Sequence, residues 1–164
     1  MSIQVRSYQL QDFQAIADIC NEAITEGGVT MDCEPYLAAK IADLVSKFGD
    51  RETILVAEIK GDVVGWGIIK KYSDRAGYRL CCETSIYLKS SATKKGYGRV
   101  LQSALLEKVK AFDYHHVVAK IVATNQRSIK FHEKSGFETV GIQKEIGFDR
   151  GQWYDVAIMQ LLVN

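Results

Sequence analysis

The chain reads as an α/β protein, with one mixed, mostly antiparallel sheet flanked by helices. Three observations predict this. Strand-type and helix-type runs alternate from the first residues onward. A Lys60-Gly61-Asp62 turn joins two β-rich segments in the middle of the chain. The stretch "TKKGYGRV", Thr93 to Val100, marks a strand passing into a helix. The expected order is β-α-α-β-β-β-α-β-α-β-β. With 164 residues the chain can bury a core without staples, so one domain over 1–164 is expected.

Each element has its own signal. "IQVRSY" predicts the first strand, and "FQAIADICNEAI" sets Phe13, Ile16, Cys20, Ala23 and Ile24 on one helical stripe. After the loop "TEGGVTMDCEP", the only proline, Pro35, is expected to open a second helix through "YLAAKIADLVSKF". "TILVAEIKGDVVGWGIIKKY" predicts a hairpin, and "YRLCCETSIYLK" the next strand. The helix "LQSALLEKVKAF" leads to "HVVAKIVA", a buried-type strand. "NQRSIKFHEKSG" predicts a short helix stopped by Gly136. "FETVGIQKEIGF" and "WYDVAIMQLLV" supply the last two strands. The three middle strands should be antiparallel, and the strand–helix–strand unit around Gly96 a right-handed parallel crossover.

Composition excludes several classes. A net charge of +1 lacks the basic face that nucleic acid requires, so no nucleic-acid partner is expected. The apolar runs are too short for a membrane span. Cys20, Cys33, Cys81 and Cys82 show no framework spacing, and adjacent Cys81 and Cys82 should point to opposite faces of a strand. Without a signal peptide, reduced cytoplasmic thiols are expected. The histidines form no zinc pattern with the cysteines, so no metal is expected.

Two glycines one residue apart, at the mouth of a helix, need a reason, because glycine costs about 1 kcal/mol in a helix interior. The loop is not a Walker loop, since Arg99-Val100 follows Gly98, nor a dinucleotide fingerprint, since Leu101 fills the third glycine position. What remains is either a flexible loop with solvated Lys94 and Lys95, or an anion held by helix N-terminal amides. In the next helix Asn125, Ser128 and His132 stand at i, i+3 and i+7, which places an amide, a hydroxyl and an imidazole on one face.

Taken together, "TKKGYGRVLQSALL" and "NQRSIKFHEKSGF" resemble the GCN5-related N-acetyltransferases, which move acetyl from acetyl-coenzyme A to an amine. "RAGYRLCCETSIYL" and "GQWYDVAIMQL" extend the resemblance to the phosphinothricin and methionine sulfoximine acetyltransferase branch. It implies a pyrophosphate cradle at Gly96, Tyr97, Gly98 and Arg99, with Lys94 and Lys95 beside it. It also implies a pantetheine contact at Asn125 and Ser128, and a thioester oriented by the strand backbone at Ile86, Tyr87 and Leu88. Acetyl-CoA is the implied co-substrate, and a homodimer the implied assembly. Two departures stand out. Thr93 replaces the Arg or Gln that usually begins the loop, and the substrate loop reads Thr30-Met31-Asp32 rather than Thr-Phe-Glu.

An amine attacks a thioester only when neutral. At pH 7 an α-amine costs about 1 kcal/mol to deprotonate, against about 4.6 kcal/mol for lysine. Glu83 is the candidate base, directly or through a water, with Cys82 and Ile86 expected to flank its carboxylate with apolar surface. His132, where relatives often carry tyrosine, is expected as the acid for the departing thiolate or as part of a proton relay. Backbone N–H groups of the Glu83–Leu88 strand would receive the charge developing on the carbonyl oxygen. On the acceptor side Arg75 would hold a carboxylate or phosphinate, beside Tyr78, while Met31 and Trp153 line the pocket.

Each residue alone has a plainer reading. Glu83 alternates with Arg79, Cys81, Ser85 and Tyr87 and could face solvent; His132 could be a surface histidine; Arg75 could pair with Asp74; Trp153 could be core. The expected activity is acetylation of the amine of a small amino-acid-like substrate. A protein N-terminus, polyamine or aminoglycoside acceptor, or an acyl-coenzyme A sensor without turnover, stays open.

Overall fold

The computed structural model describes residues 2–163. Its strands are β1 (Gln4–Ser7), β2 (Thr53–Ile59), β3 (Asp62–Lys71), β4 (Cys81–Leu88), β5 (His116–Val122), β6 (Glu138–Asp149) and β7 (Gln152–Leu162). Its helices are α1 (Phe13–Glu26), α2 (Ala38–Ser46), α3 (Tyr97–Ala111) and α4 (Gln126–Lys134). The strands form one sheet in the order β1-β2-β3-β4-β5-β7-β6. Every neighbouring pair is antiparallel except β4 and β5, which α3 joins in parallel. The expected element order and mixed sheet are what the chain forms. Among the described residues no helix is long and apolar enough to cross a membrane.

Two apolar layers sandwich the sheet. On one face α1 and α2 press Ile16, Cys20 and Ile41 onto Ile54, Val56, Trp66 and Ile68. On the other, α3 presses Leu101, Leu105 and Val109 onto Leu55, Ile69, Cys82, Val117 and Ala119, with Ile129 of α4 alongside. Leu101 and Leu105 are wholly buried, each a contribution of about 1.5–3 kcal/mol relative to exposure.

Local chemistry sets the element ends. Lys60 and Gly61 turn with φ of +51° and +82°, the double positive φ that closes the β2–β3 hairpin. Gly136, at φ +97°, stops α4: its N–H donates to the Glu133 carbonyl and that of Phe137 to the His132 carbonyl. α2, in contrast, starts three residues after Pro35 rather than at it. Asn21 explains the delay. Its amide accepts from the Tyr36 N–H at 2.7 Å and donates to the Tyr36 carbonyl at 2.9 Å, which holds that backbone outside the helix.

The buried Asp12 anchors the start of α1. Arg6 reaches it through two hydrogen bonds, of 2.8 and 3.0 Å, and also contacts Glu58 at 3.0 Å. The Arg6 guanidinium holds the Asp12 carboxyl below the usual aspartate range, against the opposing effect of burial. A carboxyl lowered in the folded state stabilises above its unfolded pKa, about 3.9, and that stability is lost as pH falls through the folded value. Asp12→Asn should therefore lower the unfolding free energy at pH 7 by about 1.5–3 kcal/mol, and flatten the acid limb of stability below about pH 4. Urea melts at pH 7 and pH 3 check both; an unchanged acid limb would remove Asp12 as its source.

Candidate active site

β4 and β5 pair over only three residues, Cys81–Glu83 against His116–Val118. Beyond Glu83 each keeps to its outer neighbour. β4 stays with β3 as far as Leu88, and β5 with β7 as far as Val122. The strands part and leave a slot through the sheet. Thr84, Ser85, Ile86 and Tyr87 form one wall, and Ala119, Lys120 and Ile121 the other. Asn125, Ser128 and His132 of α4 close one side, and Val29 caps another part.

Alternation along β4 sorts these side chains by face. Cys82, Ile86 and Leu88 belong to the layer under α3. Glu83, Ser85 and Tyr87 share the α1–α2 face, where Tyr87 stacks on Trp66 at 4.8 Å. Burial pushes the Tyr87 hydroxyl up to about 12, so it stays protonated. Cys82 and Ile86 thus lie on the opposite face from Glu83 and do not flank its carboxylate. Its partner is Lys120, at 3.2 Å, with the glutamate side chain 31% and the lysine 47% exposed.

The α4 residues behave as one unit. Asn125 caps the helix, its Oδ1 accepting from the Ser128 N–H at 3.3 Å. His132 is 3% exposed and sits between the edges of Phe131 and Phe137. Its Nδ1–H donates to the Ser128 carbonyl at 2.8 Å, with the Ser128 hydroxyl 3.5 Å away. That bond assigns the tautomer and leaves Nε2 as an acceptor. Burial lowers the His132 pKa, only partly offset by the Ser128 carbonyl, so the imidazole is neutral at pH 7.

At the far end of β4 the chain passes Lys94, at φ +63°, and Gly96, at φ +83°, into α3. No backbone N–H from Lys94 through Arg99 donates to a described acceptor; Val100, bonding to the Gly96 carbonyl at 3.4 Å, is the first that does. Successive unpaired amides with alternating backbone hand lie at the positive end of a 15-residue helix, an arrangement of the kind that attracts anions. The glycines differ in their reasons. A Cβ on Gly96 would meet nothing within 4 Å, so its left-handed φ is what requires glycine. Gly98 is buried, and its Cβ would stand 3.2 Å from Leu88 and 3.3 Å from Phe131, so close packing of α3 requires it. Lys94, Lys95 and Arg99 are exposed around this loop.

The four expected acceptor-side residues do not form one pocket. Tyr78 meets Tyr72 edge-on at 5.5 Å, and Tyr72 lies 6.0 Å from the Lys120 ammonium, which links this loop to Glu83. Arg75 is exposed on the same loop, and Asp74 pairs with Lys71 at 2.6 Å instead of with it. Met31 lies elsewhere, against Gly147, which also backs onto Tyr154. Trp153 alternates with Tyr154, so it points to the other face; it is 62% exposed and packs on Phe148 rather than in the core.

Two residues escaped the sequence reading. Lys120 had a signal, a lone cation inside the apolar run "HVVAKIVA". Thr84 had none. It is 2% exposed, lines the slot, and its hydroxyl has no hydrogen-bond partner among the described residues. Buried hydroxyls are rarely left so, because an unmet one costs about 1–3 kcal/mol. The free amides at one end and this hydroxyl in the middle fit a long ligand with an anionic head and a polar arm.

A family model described as an acetyltransferase (GNAT) domain matches residues 5–158. The chain belongs to the GNAT acetyltransferase family. It is an acetyl-CoA-dependent N-acetyltransferase. Among similar proteins, a phosphinothricin N-acetyltransferase of Streptomyces viridochromogenes is 29% identical, over 96% of this chain and 86% of its own length. An L-methionine sulfoximine/L-methionine sulfone acetyltransferase of Pseudomonas paraeruginosa is 31% identical, over 98% of this chain and 95% of its own. The crystal structure of a phosphinothricin acetyltransferase from Sinorhizobium meliloti, in complex with acetyl-CoA, has a TM-score of 0.93 and 31% identity, covering 100% of this chain and 90% of its own. Among the described residues of this GNAT chain no group of three His, Cys, Asp or Glu could hold a metal ion.

Proposed function

We propose that this acetyltransferase acts on the α-amine of a small amino-acid-like substrate bearing a second anionic or strongly polar group, as phosphinothricin and methionine sulfoximine do. The observation that carries the reading is the slot through the sheet. The amides of residues 94–99 would hold the coenzyme diphosphate, with Lys94, Lys95 and Arg99 around it. The free Nδ2 of Asn125 and the Ser128 hydroxyl would meet the pantetheine arm, and the backbone of Ile86, Tyr87 and Leu88 the thioester. The bound coenzyme supplies an acyl carbon open to attack by an amine.

Glu83 lies on the α1–α2 face and His132 on the α4 face, so the two would serve different ends of the reaction. Glu83 takes the proton of the attacking amine. His132, neutral with Nε2 free, suits a relay that accepts a proton better than one that releases it. Arg75, with Lys120 paired to Glu83 nearby, would leave the acceptor side with an unneutralised cation, which favours an anionic group on the acceptor and disfavours a polyamine. Met31, from the loop above Gly147, would contact the acceptor side chain; Trp153, on the other face of β7, would not.

The chain would work as one acyltransferase unit and as a homodimer. β6 is a 12-residue edge strand, and Val140, Ile142, Ile146 and Phe148 on it are all at least 43% exposed, as apolar surface that a second copy would cover. Its four free thiols fit the cytoplasm.

An amine panel with acetyl-CoA, following thiol release, tests the assignment. Phosphinothricin and methionine sulfoximine should be turned over at least about tenfold more efficiently, in kcat/KM, than spermidine or a short peptide. The loss of one forked ionic contact is worth about 1.5–3 kcal/mol, which sets that scale. A peptide or polyamine in first place would overturn the acceptor class and leave the coenzyme site standing.

A further inference from the structure

On the α1–α2 face, beside Glu83, four strands each contribute one polar side chain to a continuous line. Cys81 of β4 lies opposite His116 of β5, with Sγ 3.5 Å from Nδ1. His116 Nε2 is 3.2 Å from Gln160 Oε1 on β7. The Gln160 amide nitrogen donates to Glu138 on β6 at 2.9 Å. None of these residues has a part in the acetyl transfer described above.

The direction of the line follows from its end. A carboxylate only accepts, so Glu138 takes the amide N–H of Gln160 and turns the carbonyl oxygen toward His116. That oxygen accepts Nε2–H, so the other imidazole nitrogen carries the lone pair. Nδ1 therefore faces the Cys81 thiol as a base. A nucleophile, a base and a group that orients the base are the parts an activated thiol needs. Burial and the nearby Glu83 push the Cys81 thiol up, so it rests protonated and its proton must pass to His116 as sulfur attacks. Cys20 and Cys82 are buried, at 1% and 0% exposure, and have no such base. Cys33 is exposed, with Asp149 and Asp32 raising its thiol.

We propose that Cys81 is a modification site for low-molecular-weight disulfides, with His116 as its base and Gln160 and Glu138 as positioning residues. Cys81 Sγ forms a new S–S bond with one sulfur of the disulfide as the old S–S bond breaks. The other half leaves as a thiolate and takes the proton from His116, so the products are a mixed disulfide and one free thiol. The adduct stands two residues from Glu83 on the same face, about 7 Å along the strand. It obstructs the acceptor side of the slot and leaves the coenzyme side open. That last consequence rests on the acceptor placement proposed above; the thiol chemistry does not.

The reduced protein is incubated with oxidised glutathione, and each cysteine is followed by peptide mass. Cys81 should acquire the adduct first, and at least about tenfold faster than in His116→Gln. Gln160→Leu, which releases the imidazole tautomer, should also slow it, while the Cys33 rate stays the same in all three proteins. Equal Cys81 rates in wild type and His116→Gln, with melting temperatures showing both folded, would overturn the proposal, as would labelling confined to Cys33. Turnover should fall in step with the Cys81 adduct, return with dithiothreitol, and be insensitive in Cys81→Ser. Full turnover by quantitatively adducted enzyme would overturn the obstruction alone, and no turnover before treatment would instead count against the acetyl-transfer reading.

Discussion

Glu83→Gln should lower kcat by about 100-fold or more, while the stabilisation that acetyl-CoA gives the folded protein stays the same. Glutamine keeps the shape and loses the proton acceptor, and positioned general bases contribute about 10²–10⁴ in rate. Coenzyme binding should be spared because Glu83 faces the α1–α2 side, across the sheet from Asn125, Ser128 and His132, the side proposed for the coenzyme. Lys120 gives the test a second arm. It holds Glu83 at 3.2 Å, so Lys120→Met frees the carboxylate without removing it, and its effect on kcat should be much smaller. Steady-state rates and thermal shifts on both variants decide the matter. Undiminished turnover in Glu83→Gln would remove the base, and a lost coenzyme shift would place the residue on the wrong side of the slot.

Thr84→Val should make the protein more stable without coenzyme and less able to use it, two effects of opposite sign from one hydroxyl. Valine has nearly the same shape, so packing is kept. The buried Oγ1, which has no partner among the described residues, disappears with its cost of about 1–3 kcal/mol. For a protein of this size that is about 2–4 °C in Tm for each kcal/mol. If the hydroxyl meets the pantetheine arm or thioester, kcat/KM for acetyl-CoA should fall about tenfold, and the coenzyme-induced rise in Tm should shrink. Scanning calorimetry with and without acetyl-CoA reads both effects. An unaltered coenzyme response would make Thr84 a packing residue only.

The sheet was legible because its signals are local. Lys60-Gly61 can close only a tight hairpin, and Gly136 ends α4 by its own conformation. The start of α2 was not legible, because Asn21 on a different helix holds Tyr36 and overrides the proline cue. In the site, spacing alone brought Asn125, Ser128 and His132 together, since one helix carries all three. Residues on separate elements were harder. The Glu83–Lys120 pair depends on how β4 and β5 align, and the separation of Met31 from Trp153 on strand parity within β7. Gly98 makes room for Leu88 and Phe131, which the spacing of the two glycines did not reveal, while the unpaired amides around it are what an anion would meet.

The parting of β4 and β5 has a kinetic consequence. With the donor on the α4 face and the acceptor on the α1–α2 face, as proposed above, a sheet parted here would be loaded from both sides at once, and the two would not take turns at one doorway. Acyl transfer would then proceed within a ternary complex, and each spent product would depart from the side by which its parent arrived, without waiting for the other.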